Sequence, residues 1–259
     1  MSLRYVYAIG RDAGVPAGLL GMDDRPVRAE RGGALVAYTS DVDDDEFGEE
    51  ALNRNLSDMA WLTPRAVRHQ EVNAALASAI DPLAPVSFGT VFRDEGRVQQ
   101  LLADRAGEIA ARLDALRGKA EWIAVVRRDE PRALAALEST SAELRAVRSE
   151  IGAASPGRAY LVTRRLDETK RQALRASDAT AAAAAVAALE GTGASLFREP
   201  LVEDADGGMI ARFSVLAGRD DEARLDRARE QVAKDWNDRG YALELSGPWP
   251  AYRFANVTP

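Results

Sequence analysis

Pro85-Val86-Ser87-Phe88-Gly89-Thr90-Val91-Phe92 is an apolar and aromatic run with a glycine near its centre. It reads as a strand from Val86 to Phe92. A central glycine gives up β propensity, so a bulge or the close approach of another backbone is expected there. On its N-terminal side Val72, Leu76 and Ile80 recur every four residues, the apolar stripe of a helix. Thr63-Pro64 reads as the N-cap and first residue of that helix, and Asp81-Pro82 as its end. On the C-terminal side Asp94 is placed to cap a second helix. Its face is Val98, Leu101, Leu102, Ile109, Leu113 and Leu116, with Gly118 just past its end. Further upstream Arg4–Gly10 reads as a strand, and Val27–Glu30 and Ala34–Thr39 as a hairpin around Arg31-Gly32-Gly33. The stretches 10–26 and 41–50 read as loops, the second acidic. Strands grouped with two helices define an α+β unit.

The second half repeats the mixture with more helix. Trp122–Val126 is a short apolar strand, and Asp129-Glu130-Pro131 opens a helix carrying Leu134, Leu137, Leu144, Val147 and Ile151 on one side. After a break at 152–157 a long helix runs toward Leu189. Its first part, Arg158–Thr163, also fits a strand, but Val162, Leu166 and Ala173 keep helical register and the alanine tract favours helix. Ala194–Val202 and Met209–Leu216 read as strands joined at Asp206-Gly207-Gly208. A charged helix follows over 219–238, then a strand at Tyr241–Leu245 with one buried face. The pair of helices joined by about six residues has the spacing of antiparallel neighbours. It places the domain boundary near Asp129, giving domains 1–129 and 130–259 with a small antiparallel sheet in the second. Gly152 is the alternative boundary.

Composition narrows the chemistry. The 259 residues carry a net charge of −7, with 46% hydrophobic and 29% charged residues and no cysteine. Thiolate chemistry and disulfides are therefore excluded, and a broad phosphate-binding face is disfavoured. The N-terminus has no signal-peptide layout and no apolar run approaches membrane-spanning length, so a soluble cytoplasmic protein is expected. His69 is the sole histidine. It lies beside the apolar stripe of its helix with no partner at a spacing that suggests catalysis, so a structural role is expected. Asp41-Val42-Asp43-Asp44-Asp45-Glu46 opens like a calcium loop, but its sixth position is Glu46 and its twelfth is Leu52, where glycine and glutamate are required. It reads as a solvated acidic loop. Gly191-Thr192-Gly193 lacks the rest of a dinucleotide fingerprint, and no nucleophile elbow occurs. Arg164-Arg165 and Lys170-Arg171 read as helix charges paired at i, i+4 with Asp167 and Glu168. No catalytic, cofactor-binding or metal-ligating residue is assigned.

Besides the strand at Gly89, one other stretch is unusual: the tail Gly247-Pro248-Trp249-Pro250-Ala251-Tyr252-Arg253-Phe254. Two prolines extend it, and three aromatics in water are costly, so it is expected to dock, within the chain or as part of a partner surface. Together with Tyr5-Val6-Tyr7-Ala8-Ile9, His69-Gln70-Glu71-Val72, Phe88–Phe92 and Pro156-Gly157-Arg158-Ala159-Tyr160-Leu161, this ordered set resembles the gas vesicle protein F/L family (GvpF/GvpL). Gln70, Ala251 and Arg253 depart from the pattern, which has glutamate, proline and a small residue there. The resemblance implies a ferredoxin-like N-terminal domain and a helix-rich α+β C-terminal domain. It also implies an accessory or minor structural role in gas vesicle assembly, with the hydrophobic shell protein and other gas vesicle proteins as partners. It implies no enzyme activity and no cofactor, and leaves the F or L paralogue open; the net charge of −7 already argues against a nucleic-acid partner. The competing expectation is a small-molecule-binding regulatory protein with ferredoxin-like domains.

Overall fold

The structure is a computed structural model that describes residues 2–11, 14–152, 155–201 and 208–256. The chain separates into two compact units, Met1–Glu121 with Pro248–Pro259, and Trp122–Gly247. The first unit opens with β1 (Ser2–Gly10), β2 (Arg28–Gly32) and β3 (Leu35–Asp43), then α1 (Asp44–Phe47), α2 (Glu49–Asn55) and α3 (Met59–Ala79). It continues with β4 (Leu83–Pro85), β5 (Val91–Phe92), α4 (Glu95–Asp104) and α5 (Ala106–Leu116). The second unit holds β6 (Lys119–Arg128), α6 (Glu130–Thr140), α7 (Ala142–Gly152), α8 (Pro156–Glu190), β7 (Ser195–Arg198), β8 (Met209–Gly218), α9 (Glu222–Trp236) and β9 (Tyr241–Trp249). The short α10 (Tyr252–Ala255) returns to the first unit.

The α+β class expected from the sequence holds, with an antiparallel hairpin in each unit. The sheet of the first unit has the order β2-β3-β1-β4, with β5 also paired to β1, and the sheet of the second has the order β7-β8-β6-β9. Counted within each unit, both orders are second, third, first, fourth. The second unit reaches it by strand–helix–strand–strand–helix–strand, the chain order of a ferredoxin-like motif, with α6, α7 and α8 all in the first crossover. In the first unit the strands take the same places, but the first connection, residues 11–27, carries only a 3-10 turn at Met22–Asp24 among its described residues.

The break in the fourth strand is the bulge that Gly89 foreshadowed. β4 pairs with residues 8–10 of β1 and β5 with Arg4 and Tyr5. Between them Val86 N–H donates to the Tyr7 carbonyl, and Val6 N–H to that of Thr90. Gly89 turns at φ +80°, a conformation that costs other residues about 1 kcal/mol or more. Of the strand expected over Val86–Phe92 only Val91–Phe92 forms, and β4 lies just ahead of the expected range.

Other boundaries differ from expectation for identifiable reasons. Residues 41–50 are the end of β3 and two helices instead of a loop, because Asp44, Asp45 and Glu46 fill the positive first turn of α1 and Phe47 is buried. The Asp58 side chain accepts the Ala60 N–H, so α3 begins at Met59 and encloses Pro64. The helix expected after Asp94 is two, α4 and α5, broken at Arg105, whose φ of −111° leaves the helical region. The helix expected after Asp129 breaks at Ser141, whose hydroxyl accepts the Leu144 N–H and restarts the chain as α7. The long α8 takes the helical option for Arg158–Thr163. The turn expected at Asp206-Gly207 lies outside the described residues.

The two units part at Glu121/Trp122, where the sequence reading set 129/130, because β6 belongs to the second sheet and the tail to the first unit. The first core gathers Tyr5, Tyr7, Tyr38, Phe47, Val72 and Leu76 with their neighbours. In the second unit Leu144, Val147, Val162 and Leu166 seal α7 against α8. The Asp178 carboxylate of α8 accepts from Tyr241 at 2.9 Å and from Arg128 at 2.5 Å, tying the long helix to β9 and β6. The basic residues of α8 pair mostly across helices: Lys170 with Glu138 at 2.7 Å and Arg165 with Glu150 at 3.5 Å, while Arg171 pairs locally with Glu168.

Gly240 closes this unit at φ +79°. A Cβ there would stand 2.6 Å from the Ala133 nitrogen and 2.9 Å from the Asp129 oxygen. Gly240→Ala is expected to destabilise the protein by about 2 kcal/mol or more in urea denaturation, since both backbone strain and overlap must be relieved.

Candidate functional site

The strand period brings Tyr5 and Tyr7 to one face of β1, and the helical period brings His69 and Asn73 to one face of α3. The first core joins these faces around His69, which is only 3% exposed. The imidazole centre lies 5.7 Å from the ring of Tyr5, 5.9 Å from Tyr7, 5.7 Å from Phe88 and 6.0 Å from Tyr252. Asn73 donates to His69 Nε2 at 3.0 Å. The ring proton then sits on Nδ1, which donates to the Tyr5 oxygen at 2.9 Å, and the same oxygen accepts the Gly89 N–H at 3.1 Å. One polar line therefore crosses the bulge, the first strand and the long helix, and Tyr252 of the tail joins it through its ring.

Burial controls the titration of this line. It lowers His69 to about 4, against the opposing pull of the Val86 carbonyl, so the ring is neutral near pH 7. Burial also pushes the Tyr5 hydroxyl well above its usual value and raises Tyr252, an effect the Asn73 amide partly offsets. None of these groups is poised to exchange protons near neutrality. Their chemistry is cohesion, which agrees with the structural role expected of His69.

The tail docks within the chain. Ala251 and Ala255 are buried, α10 lies against α5 and β4, and the Arg253 N–H donates to the Glu121 carboxylate at 2.9 Å. Trp249 stays 41% exposed.

Beside the aromatic cluster the first unit is open. A groove of about 620 Å³ runs along Leu3, Phe47, Leu52, Gly89, Val91 and Phe92, with Asp44, Glu49 and Arg93 at its edge. One of its walls is held by Arg65, whose guanidinium stacks 4.5 Å from the Trp61 ring and pairs with Glu46 and Asp23. Trp61 Nε1 donates to the same Glu46 at 3.0 Å. Of the acidic residues flagged by their calcium-like spacing, Asp41 pairs with Arg4 and Arg28 and Asp43 with Arg25. Among the described residues no group of three or more His, Asp or Glu side chains is placed to hold a metal ion. Gly191 and Gly193 belong to the turn that ends α8.

The sequence reading singled out His69, Gly89, the tail and the segment holding Tyr5 and Tyr7, but not Asn73, nor that these residues touch. The available signal was spacing, i to i+2 on the strand and i to i+4 on the helix. The groove had none, because its lining comes from three stretches far apart in the chain, at Leu3, 44–52 and 89–93.

Fold and site together define a two-unit α+β protein whose first unit gathers Tyr5, His69, Phe88 and Tyr252 in an aromatic cluster beside an open groove. The family model described as "Gas vesicle synthesis protein GvpL/GvpF" matches residues 3–256, and the chain belongs to this family. It is 32% identical over 269 aligned residues to gas vesicle protein L of Streptomyces sp. (strain CB03234), covering 98% of this chain and 93% of that one. Against gas vesicle protein F of the same organism it is 28% identical over 254, covering 96% and 98%. In structure it is similar to GvpF from Anabaena sp. PCC7120, at a TM-score of 0.76 and 18% identity over the whole of both chains. It is also similar to GvpF from Microcystis aeruginosa, at 0.68 and 20% over 99% of each. No helix among the described residues is long and apolar enough to cross a membrane.

Two outcomes are expected. An unfolded chain, with an ordinary histidine, binds a proton between pH 6.5 and 4 that the folded chain refuses. The stability that His69 contributes is complete above pH 6.5 and is lost, to about 3 kcal/mol, as pH falls toward 4. Urea titrations at pH 7 and pH 5 should show a steeper loss in the wild type than in His69→Gln. Tyr252→Ala should cost about 2 to 3 kcal/mol and bring forward tryptic cleavage at Arg253 in limited proteolysis.

Proposed function

We propose that this protein works by binding other polypeptides during gas vesicle assembly, as a non-catalytic accessory or minor structural component. It is a soluble cytoplasmic protein that meets the gas vesicle as the wall forms. Its partners are the small hydrophobic shell protein and other gas vesicle accessory proteins. A subunit destined for a gas-facing wall exposes apolar surface before it polymerises, and such surface aggregates unless covered. An acidic carrier stays dispersed through its own charge while it covers or delivers that subunit.

One observation carries this reading. Of the segments that mark the family, those around Tyr5, His69 and Phe88 build an interior, and the lone histidine among them is neutral, buried and hydrogen-bonded on both ring nitrogens. What is left for partners is surface: the groove of the first unit and exposed apolar side chains such as Met59, Val67, Tyr160 and Leu161.

The test is co-purification. Tagged protein expressed with the rest of its gas vesicle gene cluster should retain the shell protein and at least one further accessory protein. Loss of the gene should cut the yield of buoyant vesicles. Recovery of the protein alone, with vesicles forming normally in its absence, would refute the proposal.

A further inference from the structure

We propose that the groove of the first unit is the docking site for a cationic amphipathic segment of another polypeptide. This rests on the reading above that the protein acts by binding polypeptides, and it assigns the place and the chemistry.

The floor is apolar: Leu3, Phe47, Leu52, Val91 and Phe92 supply it. The fourth strand ends at Phe92, paired with Arg4, so Ser2 and Leu3 of β1 run past it without a strand partner on that side. The floor is also firm. Phe47 packs 5.7 Å from Tyr5, and Gly89 is anchored to the Tyr5 hydroxyl, so an incoming apolar side chain meets a surface that is already ordered.

The rim is acidic and unspent. Asp44 and Glu49 stand at the groove with Asp45 and Glu50 beside them, all four exposed. None of these four has an ion-pair partner among the described residues. Glu46, in the same run, is committed to Arg65 and Trp61. Among the described residues Arg93 is the one cation in the lining. An apolar trough with free carboxylates on its lip complements a segment with leucine-like residues on one face and lysine or arginine on the other. A small-molecule site needs convergent buried polar groups. The charged residues lining this groove, Asp44, Glu49 and Arg93, are all exposed.

The experiment uses the full chain and a fluorescein-labelled 16-residue peptide with leucines at i, i+3, i+4 and i+7 and lysines on the opposite face. Fluorescence anisotropy should show binding that weakens with added salt. Peptides with glutamate for lysine, or serine for leucine, should not bind. The pair Asp44→Lys and Glu49→Lys should weaken binding about tenfold in a chain that still melts cooperatively, a few degrees lower for the lost first-turn charges of α1 and α2. Glu222→Lys with Glu230→Lys, on α9, should leave it as in the wild type. Equal binding of the glutamate peptide, or equal loss in the α9 variant, would overturn the assignment, as would no loss in the groove variant. So would self-association through this face, seen as a dimer in sedimentation that the groove pair abolishes. Retention of the shell protein by the groove variant would sink the groove while leaving the binding role intact. Groove-dependent peptide binding without shell-protein retention would do the reverse.

Discussion

A neutral imidazole with both ring nitrogens hydrogen-bonded, sealed among aromatic rings, is the contact on which the first unit depends. Burying a histidine is unfavourable unless both nitrogens find partners. Here they do, with Tyr5 on one side and Asn73 on the other. Tyr5 in turn holds the Gly89 amide, and the Tyr252 ring lies 6.0 Å from the imidazole. Four segments, separated by up to about 250 residues of chain, are thereby held in one place. In a low-dielectric interior such a line is cooperative, and loss of one member leaves others exposed to the cost of unpaired burial.

The cluster also explains why the groove exists. A regular fourth strand over residues 83–92 would lie flat along β1. The turn at Gly89 lifts the chain away, lets Phe88 pack on the imidazole, and leaves the strand to resume for only two residues. The end of β1 is left without cover on that side, with α1 and α2 as the facing wall. One conformational choice of the backbone thus serves the interior on one face and opens a surface on the other.

The two sheets share one spatial order of strands although the chain reaches it by different routes. In the second unit three helices fill the first crossover. In the first unit a loop with a single 3-10 turn does so. This chain covers nearly the whole of both the L and the F protein of the same Streptomyces strain, so length does not separate the two branches.

Local periodicity carried much of the fold in the sequence itself. The stripes on α3, α4 and α5, the cap at Asp94, the strand–helix transition at Asp129 and the helical register of α8 all follow from patterns within one or two turns of the chain, where side-chain spacing alone fixes which face is buried. Helix breaks at Arg105 and Ser141 were not legible, because a single residue leaving the helical region hardly alters a fifteen-residue apolar pattern. Neither was the start of α3, where the Asp58 cap outweighed the Thr63-Pro64 signal. The meeting of Tyr5, His69, Asn73, Gly89 and Tyr252, and the groove beside them, belong to tertiary structure alone. Each residue was visible one at a time, but a hydrogen bond between positions 64 or 84 residues apart leaves no local trace and forms only when the core closes around it.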